Sequence, residues 1–119
     1  MNLLIVEDEV LIQKSLVKLL QKKGANAEGV SSGREAIKLI QEKSFDRIIC
    51  DLMLQDITGF DVIESCIKFL PKNEIQGKFV LMTAYSSEQV LSKAKEYGCP
   101  VMRKPFENLD EVLEIMLNS

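Results

Sequence analysis

The sequence contains no histidine among its 119 residues, which excludes a histidine base, a histidine metal ligand and a phosphohistidine. It also has no apolar run near the roughly 20 residues of a membrane span, and the run at residues 3–6 is too short for a signal sequence. Basic residues do not predominate, since 15 Lys and Arg against 18 Asp and Glu give a net charge of -3. This balance argues against nucleic acid or an anionic membrane as the main partner.

Cysteines are few and odd in number. Cys50, Cys66 and Cys99 lack the spacing of a metal site. Cys50 ends an apolar run and Cys66 lies on a helical apolar stripe, which predicts buried thiols in a reducing compartment and hence a cytoplasmic protein. The composition, 46% hydrophobic and 28% charged, is that of one globular domain that needs no metal or disulfide for its core.

Short apolar runs predict the strands. Four runs stand out, and a weaker one is expected near an edge: residues 3–6, 47–50, 79–82 and 101–102, and the weaker 26–30. Their hydrophobicity is continuous rather than alternating, which is typical of strands buried on both faces of a parallel sheet.

Segments with helical periodicity lie between these runs. Residues 9–23 end before Gly24, a residue type that terminates helices. The apolar positions of this segment fall on one face: Ile12, Leu16, Leu19 and Leu20. Three later helices are expected to begin where a capping residue stands three places before an acid or amide: at Ser32, Ser86 and Asn108.

Two further assignments complete the chain. A helix from about residue 60 to 70 is expected to end at Pro71, followed by a polar loop at residues 72–77. The last helix should turn its apolar residues inward: Leu109, Val112, Leu113 and Met116. Strand and helix thus alternate five times, which predicts an α/β fold, a doubly wound (βα)5 sandwich whose five-stranded parallel sheet has the order 2-1-3-4-5.

Chemistry concentrates at the carboxyl ends of the predicted strands, where ligands bind in such sheets. Glu7, Asp8 and Asp51 would converge there, with Thr83 and Lys104 at the ends of neighbouring strands. Clustered carboxylates repel one another unless a nearby cation neutralises part of their negative charge. An all-oxygen site of this size suits Mg²⁺ best, with Mn²⁺ as a substitute, while Ca²⁺ would need a denser ligand loop.

A carboxylate beside a magnesium ion, a lysine and a hydroxyl indicates phosphoryl transfer. Asp51 would attack phosphorus in line and become an acyl phosphate. Mg²⁺, Lys104 and the Thr83 hydroxyl would hold the equatorial oxygens. No general base is needed, because an aspartate is already ionised near neutral pH.

Four motifs that follow one another along the chain resemble those of one family: Val6-Glu7-Asp8-Glu9, Asp51-Leu52-Met53-Leu54 with Gly59, Met82-Thr83-Ala84 and Lys104-Pro105-Phe106. Together they resemble the receiver domain of bacterial two-component response regulators, over essentially the whole chain. The resemblance implies a flavodoxin-like, chemotaxis-regulator-like fold for residues 1–119, as a single receiver domain with no output domain.

The resemblance also implies roles. Asp51 would be the phosphoacceptor, Asp8 a direct magnesium ligand and Glu7 a ligand through water. The backbone carbonyl of Met53 would complete the metal site. Thr83 and Lys104 would bind the phosphoryl group, and the bond from Lys104 to proline is often cis in this family, at low cost.

Partners follow from the same resemblance. The donor would be a phosphohistidine on a sensor histidine kinase or a histidine phosphotransfer domain. A downstream protein target would bind the face made by helix 86–97, strand 101–102 and helix 107–118, and phosphorylation could link two copies into a dimer. The chain would catalyse its own phosphorylation and slow dephosphorylation, without a separate substrate, as a stand-alone regulator or a phosphorelay intermediate.

Two positions depart from the family pattern. Val101 stands where an aromatic residue usually couples to the threonine, which implies either a rewired switch or a relay with little conformational output. Tyr85 would then be a substitute switch aromatic or, as we favour, a surface tyrosine at the entrance to the site. Gln55 replaces a common proline, which predicts a more mobile loop at residues 54–59 whose turn rests on Asp56 and Gly59.

The bulk of Met53 and Tyr85, at positions that tune loss of the phosphoryl group in this family, predicts a long-lived phosphoryl state.

Other classes of protein fit the sequence less well. A phosphorylation-independent, receiver-like binding module would usually lack one of the site residues. A phosphatase of the haloacid dehalogenase type needs an acid where Met53 stands, and a cap domain. A flavodoxin needs a hydroxyl-rich phosphate loop after the first strand, where this chain has acids.

Overall fold

The apolar runs form a five-stranded parallel sheet. The computed structural model describes residues 1–106 and 109–118. Its strands are β1 (Asn2–Val6), β2 (Asn26–Val30), β3 (Arg47–Asp51), β4 (Phe79–Thr83) and β5 (Val101–Arg103). All neighbours pair in parallel in the order β2-β1-β3-β4-β5, so the predicted topology is confirmed.

Helices cover both faces of the sheet. Within the described residues they are α1 (Val10–Lys22), α2 (Gly33–Glu42), α3 (Gly59–Cys66), α4 (Lys72–Lys78), α5 (Glu88–Tyr97) and α6 (Leu109–Asn118). None of the helices in these two ranges is long and apolar enough to cross a membrane.

Alternate strand residues divide the core into two layers. Leu4 and Ile48 face one side, where α2, α3, α4 and α5 pack. Leu3 and Ile49 face the other side, against α1 and α6. Successive side chains on a strand point to opposite faces, so strands that feed both layers must be apolar throughout. The three cysteines are free and buried, as predicted.

The segment at residues 72–77 was predicted to be a polar loop, and this prediction is wrong. It forms the short helix α4, whose N-cap is Pro71. The carbonyl of Pro71 accepts hydrogen bonds from the backbone of Glu74 and Ile75. Ile75 is 1% exposed, and its burial in the core offsets the low apolar content of the rest of the segment.

Helix boundaries shift where the caps differ from the prediction. α3 begins at Gly59, because Thr58 and Asp61 form a capping box, and it ends at Cys66, four residues before the predicted end. Ser87, not Ser86, caps α5, by accepting a hydrogen bond from the backbone of Val90. The predicted cap at Ser32 is confirmed, and the one at Asn108 lies outside the described residues.

The role of α4 in stability can be tested with two isoleucines. Ile75→Ala should lower the free energy of unfolding by about 2–5 kcal/mol, because it leaves a cavity in the core. Ile67→Ala, at a position that is 46% exposed, should cost less than about 1 kcal/mol. Urea unfolding of both variants checks this. Equal, small losses would mean that residues 72–78 do not pack on the core.

Candidate functional site

The acidic residues meet at the carboxyl edge of β1 and β3. Val6 is in register with Cys50, so the residues that follow, Glu7 and Asp51, emerge side by side. Asp8 completes the group, and carboxylate oxygens of the three acids lie within 4.8 Å of one another. Parallel pairing therefore brings together acids more than forty residues apart, as the sequence predicted.

Lys104 bridges two of these acids. Its Nζ lies 2.8 Å from Glu7 Oε2 and 2.7 Å from Asp51 Oδ2. Its backbone N–H donates to the carbonyl of Thr83, and its peptide bond to Pro105 is cis, as expected. The side chain of Glu7 is fully buried and those of Asp51 and Lys104 are nearly so. One cation thus faces two buried carboxylates, with Asp8 beside them.

This charge arrangement shifts two pKa values. Burial raises the pKa of Glu7 to about 7, although hydrogen bonds from Lys104 and from the backbone of Glu9 oppose the rise. Burial by itself would lower the pKa of Lys104, but its hydrogen bonds to Asp51 and Glu7 hold that pKa above its ordinary value. Lys104 therefore remains a cation at neutral pH, close to Asp51.

The Asp51 carboxylate is held at both oxygens. Oδ2 accepts from Lys104, and Oδ1 accepts from the backbone N–H of Met53 at 2.9 Å. Met53 also pairs with Thr58 across the loop, which folds the chain back on itself. This fold requires Gly59, because a Cβ there would lie 2.8 Å from the backbone oxygen of Asp51. The loop after β3 thus orients the carboxylate.

Thr83 is buried at the end of β4, and its hydroxyl makes hydrogen bonds with the backbone of the loop that follows. Its Oγ1 donates to the carbonyl of Tyr85 and accepts from the Tyr85 N–H. The Tyr85 side chain is 71% exposed, which agrees with a surface tyrosine at the entrance. Val101 is half-buried beside Leu81 and packs against the core layer that α2, α3, α4 and α5 cover.

An open cleft of about 260 Å³ leads to Asp51. Asp8, Asp51 and Lys104 line this cleft. Other residues complete the wall: Glu9, Met53, Gln55, Ala84 and Tyr85. Asp51 is 4% exposed, so its carboxylate is shielded from bulk water but reachable through the cleft.

Sequence reasoning missed Gln13, which supports Glu7 from α1. The Gln13 side chain is largely buried, and its Nε2 donates to the Glu7 carbonyl at 2.9 Å and to Ser31 Oγ at 3.2 Å. Gly29 makes room for it, since a Cβ there would lie 2.5 Å from Gln13 Oε1. A glycine inside a strand was the signal that could have indicated this close approach.

Asp56 has a role in the predicted turn and a second role outside it. The turn at residues 54–59 was expected to rest on Asp56 and Gly59, and Gly59 does lie close to β3. The Asp56 carboxylate accepts a hydrogen bond from the backbone of Ile57 within the loop, and it also accepts from the backbone of Gly33 and Arg34 in α2. It therefore connects the loop to another helix, because those helix-terminal N–H groups lack partners within α2.

Comparison with known proteins places these residues in a family. Residues 3–116 match the family described as the response regulator receiver domain. The transcriptional regulatory protein ZraR of Escherichia coli K12 is 29% identical over 116 residues, which cover 95% of this chain and 25% of ZraR. The chain thus spans about a quarter of the length of that relative.

Solved structures of receiver domains have a fold similar to that of this chain. The non-phosphorylated HemR receiver domain of Leptospira biflexa has a TM-score of 0.83 and 30% identity, covering 94% of this chain and 87% of that one. The receiver domain of Saccharomyces cerevisiae Ssk1, solved with the histidine phosphotransfer signaling protein Ypd1, has a TM-score of 0.83 and 28% identity, with coverage of 98% and 86%.

The pKa of Glu7 predicts how stability depends on pH in metal-free protein. The folded state holds the Glu7 proton up to about pH 7, whereas an ordinary glutamate releases it near pH 4.5. Stability should therefore fall as pH rises through this window. Urea unfolding in EDTA at several pH values measures the slope. Glu7→Gln should remove this component, the exposed control Glu9→Gln should keep it, and an unchanged slope in Glu7→Gln would contradict the assignment.

Proposed function

The chain belongs to the response regulator receiver domain family, and we propose that it accepts a phosphoryl group on Asp51 in a magnesium-dependent reaction. The donor is a phosphohistidine on a sensor histidine kinase or a histidine phosphotransfer domain. One observation carries this proposal: Asp51 lies at the base of an open cleft, with one oxygen on the Met53 N–H and the other on the Lys104 ammonium.

The donor set at the site fits a hard divalent cation. Glu7, Asp8 and Asp51 offer carboxylate oxygens within 4.8 Å of one another, and Lys104 offsets only part of their charge. We propose that these acids, with the Met53 backbone carbonyl, hold Mg²⁺ or Mn²⁺. When bound, the ion supplies positive charge that reduces repulsion between the acids and the incoming phosphoryl oxygens.

The residues of the chain supply the rest of the chemistry. The Asp51 carboxylate attacks phosphorus in line, a P–O bond to Asp51 forms, the P–N bond to the donor histidine breaks, and imidazole leaves. Lys104, held as a cation, pairs with the phosphoryl oxygens. The Thr83 hydroxyl must release the Tyr85 backbone to reach the same oxygens. That exchange of partners links phosphorylation to the loop after β4.

The surface around the cleft supports a protein donor. A phosphohistidine must come within bonding distance of Asp51, so its carrier has to cover the cleft entrance. Apolar side chains surround this entrance or lie at the start of α1, with exposures of 48% for Val10, 83% for Leu11, 60% for Met53 and 71% for Tyr85. Exposed apolar groups of this kind mark protein contacts.

A downstream target is proposed to bind the face made by α5, β5 and α6, which corresponds to the face predicted from the sequence. Leu91 and Ile115 are exposed apolar residues on this face, at 46% and 38%. A dimer formed on phosphorylation would use the same surface. A reducing, cytoplasmic location is proposed from the free, buried cysteines.

The proposal is tested by intact mass after incubation with Mg²⁺ and a small acyl phosphate. The wild type should gain the mass of one phosphoryl group, since both oxygens of the Asp51 carboxylate are held in place for attack. The gain should vanish in Asp51→Asn and in EDTA, and should persist in Asp110→Asn, an exposed aspartate on α6.

Absence of the mass gain separates two cases. A folded wild type that binds Mg²⁺ but takes no phosphoryl group from a small donor should still accept one from a purified phosphohistidine protein. A folded wild type that neither binds Mg²⁺ nor gains mass with either donor would overturn the proposal. It would favour the alternative, a phosphorylation-independent, receiver-like binding module.

Met53 and Tyr85 predict the lifetime of the phosphoryl group. Both side chains line the cleft, so truncation should admit water to the acyl phosphate. Met53→Ala and Tyr85→Ala should each lose the phosphoryl group several-fold faster than the wild type, measured by mass after removal of the donor. Leu91→Ala is the control, because Leu91 is exposed and does not line the cleft. Equal rates in all four proteins would contradict shielding by these residues.

A further inference from the structure

The carboxylate of Asp56 completes the N-terminus of α2 from a different part of the chain. Its Oδ1 accepts from Gly33 N and its Oδ2 from Arg34 N, both at 3.0 Å. The next two amides are satisfied within the segment, since Glu35 N donates to the Ser32 hydroxyl and Ala36 N to the Ser32 carbonyl. All four amides that open the helix therefore have acceptors, and Asp56 supplies two of them.

An apolar contact lies directly beside this polar one. A Cβ on Gly33 would be 2.5 Å from Ile57 Cγ1, so Ile57 occupies the space that a side chain at that position would need. Asp56 and Ile57 are adjacent in the loop, and they contact the same first turn of α2. A negative carboxylate is also favoured at a helix N-terminus by the helix dipole.

The tethered loop is the one that orients Asp51. Met53, whose N–H binds Asp51 Oδ1, pairs with Thr58, and Asp56 lies between these two residues. Gln55 gives this loop none of the stiffness that a proline would supply. Asp56 and Ile57 are the loop residues that contact the first turn of α2 through hydrogen bonds and through the space beside Gly33.

We propose that Asp56 is a positioning residue for the phosphoacceptor site: by tying the loop after β3 to α2, it holds the Met53 peptide against the Asp51 carboxylate. Its effect on the reaction rests on the proposed function of Asp51. Its effect on the Met53 amide does not, so the two can be measured separately.

The test compares Asp56→Ala and Asp56→Asn with Ser32→Ala. Ser32→Ala is the matched control, because it also removes an acceptor from the N-terminus of α2 but leaves the loop untouched. Asp56→Ala should increase the hydrogen-exchange rate of the Met53 amide, followed by NMR in folded protein. It should also weaken Mg²⁺ binding about tenfold, the range seen when a group that orients metal ligands is lost. Asp56→Asn keeps one carboxamide oxygen and should fall between Asp56→Ala and the wild type.

Three outcomes decide the proposal. Faster exchange at Met53 and weaker Mg²⁺ binding in Asp56→Ala but not in Ser32→Ala would support it, even if both variants lose similar stability. Equal effects in the two variants would overturn it, because a general loss of helix stability would then explain both. If Met53 exchanges faster while Mg²⁺ affinity and phosphorylation rate stay at wild-type values, a positioning role in the reaction is overturned. Failure of the proposed function itself would appear in the wild type, as no Mg²⁺ binding and no phosphoryl gain.

Discussion

The contact of Lys104 with Glu7 and Asp51 is the constraint on which the rest of the site depends. The two carboxylates are buried at the ends of neighbouring strands, and like charges so placed would repel if left alone. Lys104 reaches both from the end of β5, at 2.8 and 2.7 Å. Breaking such a buried network by removing one partner is costly, at about 3–5 kcal/mol, because an uncompensated charge remains. The site therefore ties the ends of three strands together.

The remaining site residues are held through backbone contacts rather than through one another. Met53 orients Asp51 through a peptide N–H, Thr83 binds the backbone of its own loop, and Gln13 holds the carbonyl of Glu7. The loop after β3 is in turn anchored to α2, and the segment after β1 to α1. This arrangement leaves Thr83 with partners that it can exchange, while Asp51 and Lys104 already have the contacts that the proposed transfer needs.

Aromatic contacts join α5 to α3, although position 101 carries no aromatic residue. The ring of Tyr97, at the end of α5, stacks on Phe60 with centroids 5.9 Å apart, and its hydroxyl donates to Glu64 on α3. Lys93 lies over the Phe60 ring, 4.9 Å from its centroid. Aromatic contacts are therefore present between α5 and α3, whereas Val101 packs against the core layer that α2, α3, α4 and α5 cover. Spacing along the chain could not show this, because it does not say which helix a side chain faces.

The sequence by itself determined the sheet, its parallel order and the identity of the acids, the hydroxyl and the lysine at its carboxyl edge. Continuous apolar runs and the alternation of strand and helix are local patterns, and parallel connections allow few topologies. Only the tertiary structure decided that residues 72–78 form a helix, that Gln13 supports Glu7 and that Asp56 binds α2. Burial of Ile75 decides the first feature, and the space left by Gly29 decides the second. The third is decided by N–H groups of α2 that lack partners within the helix. Each depends on a neighbour distant in sequence, and a local pattern such as the glycine in β2 can indicate a close approach but does not identify the partner.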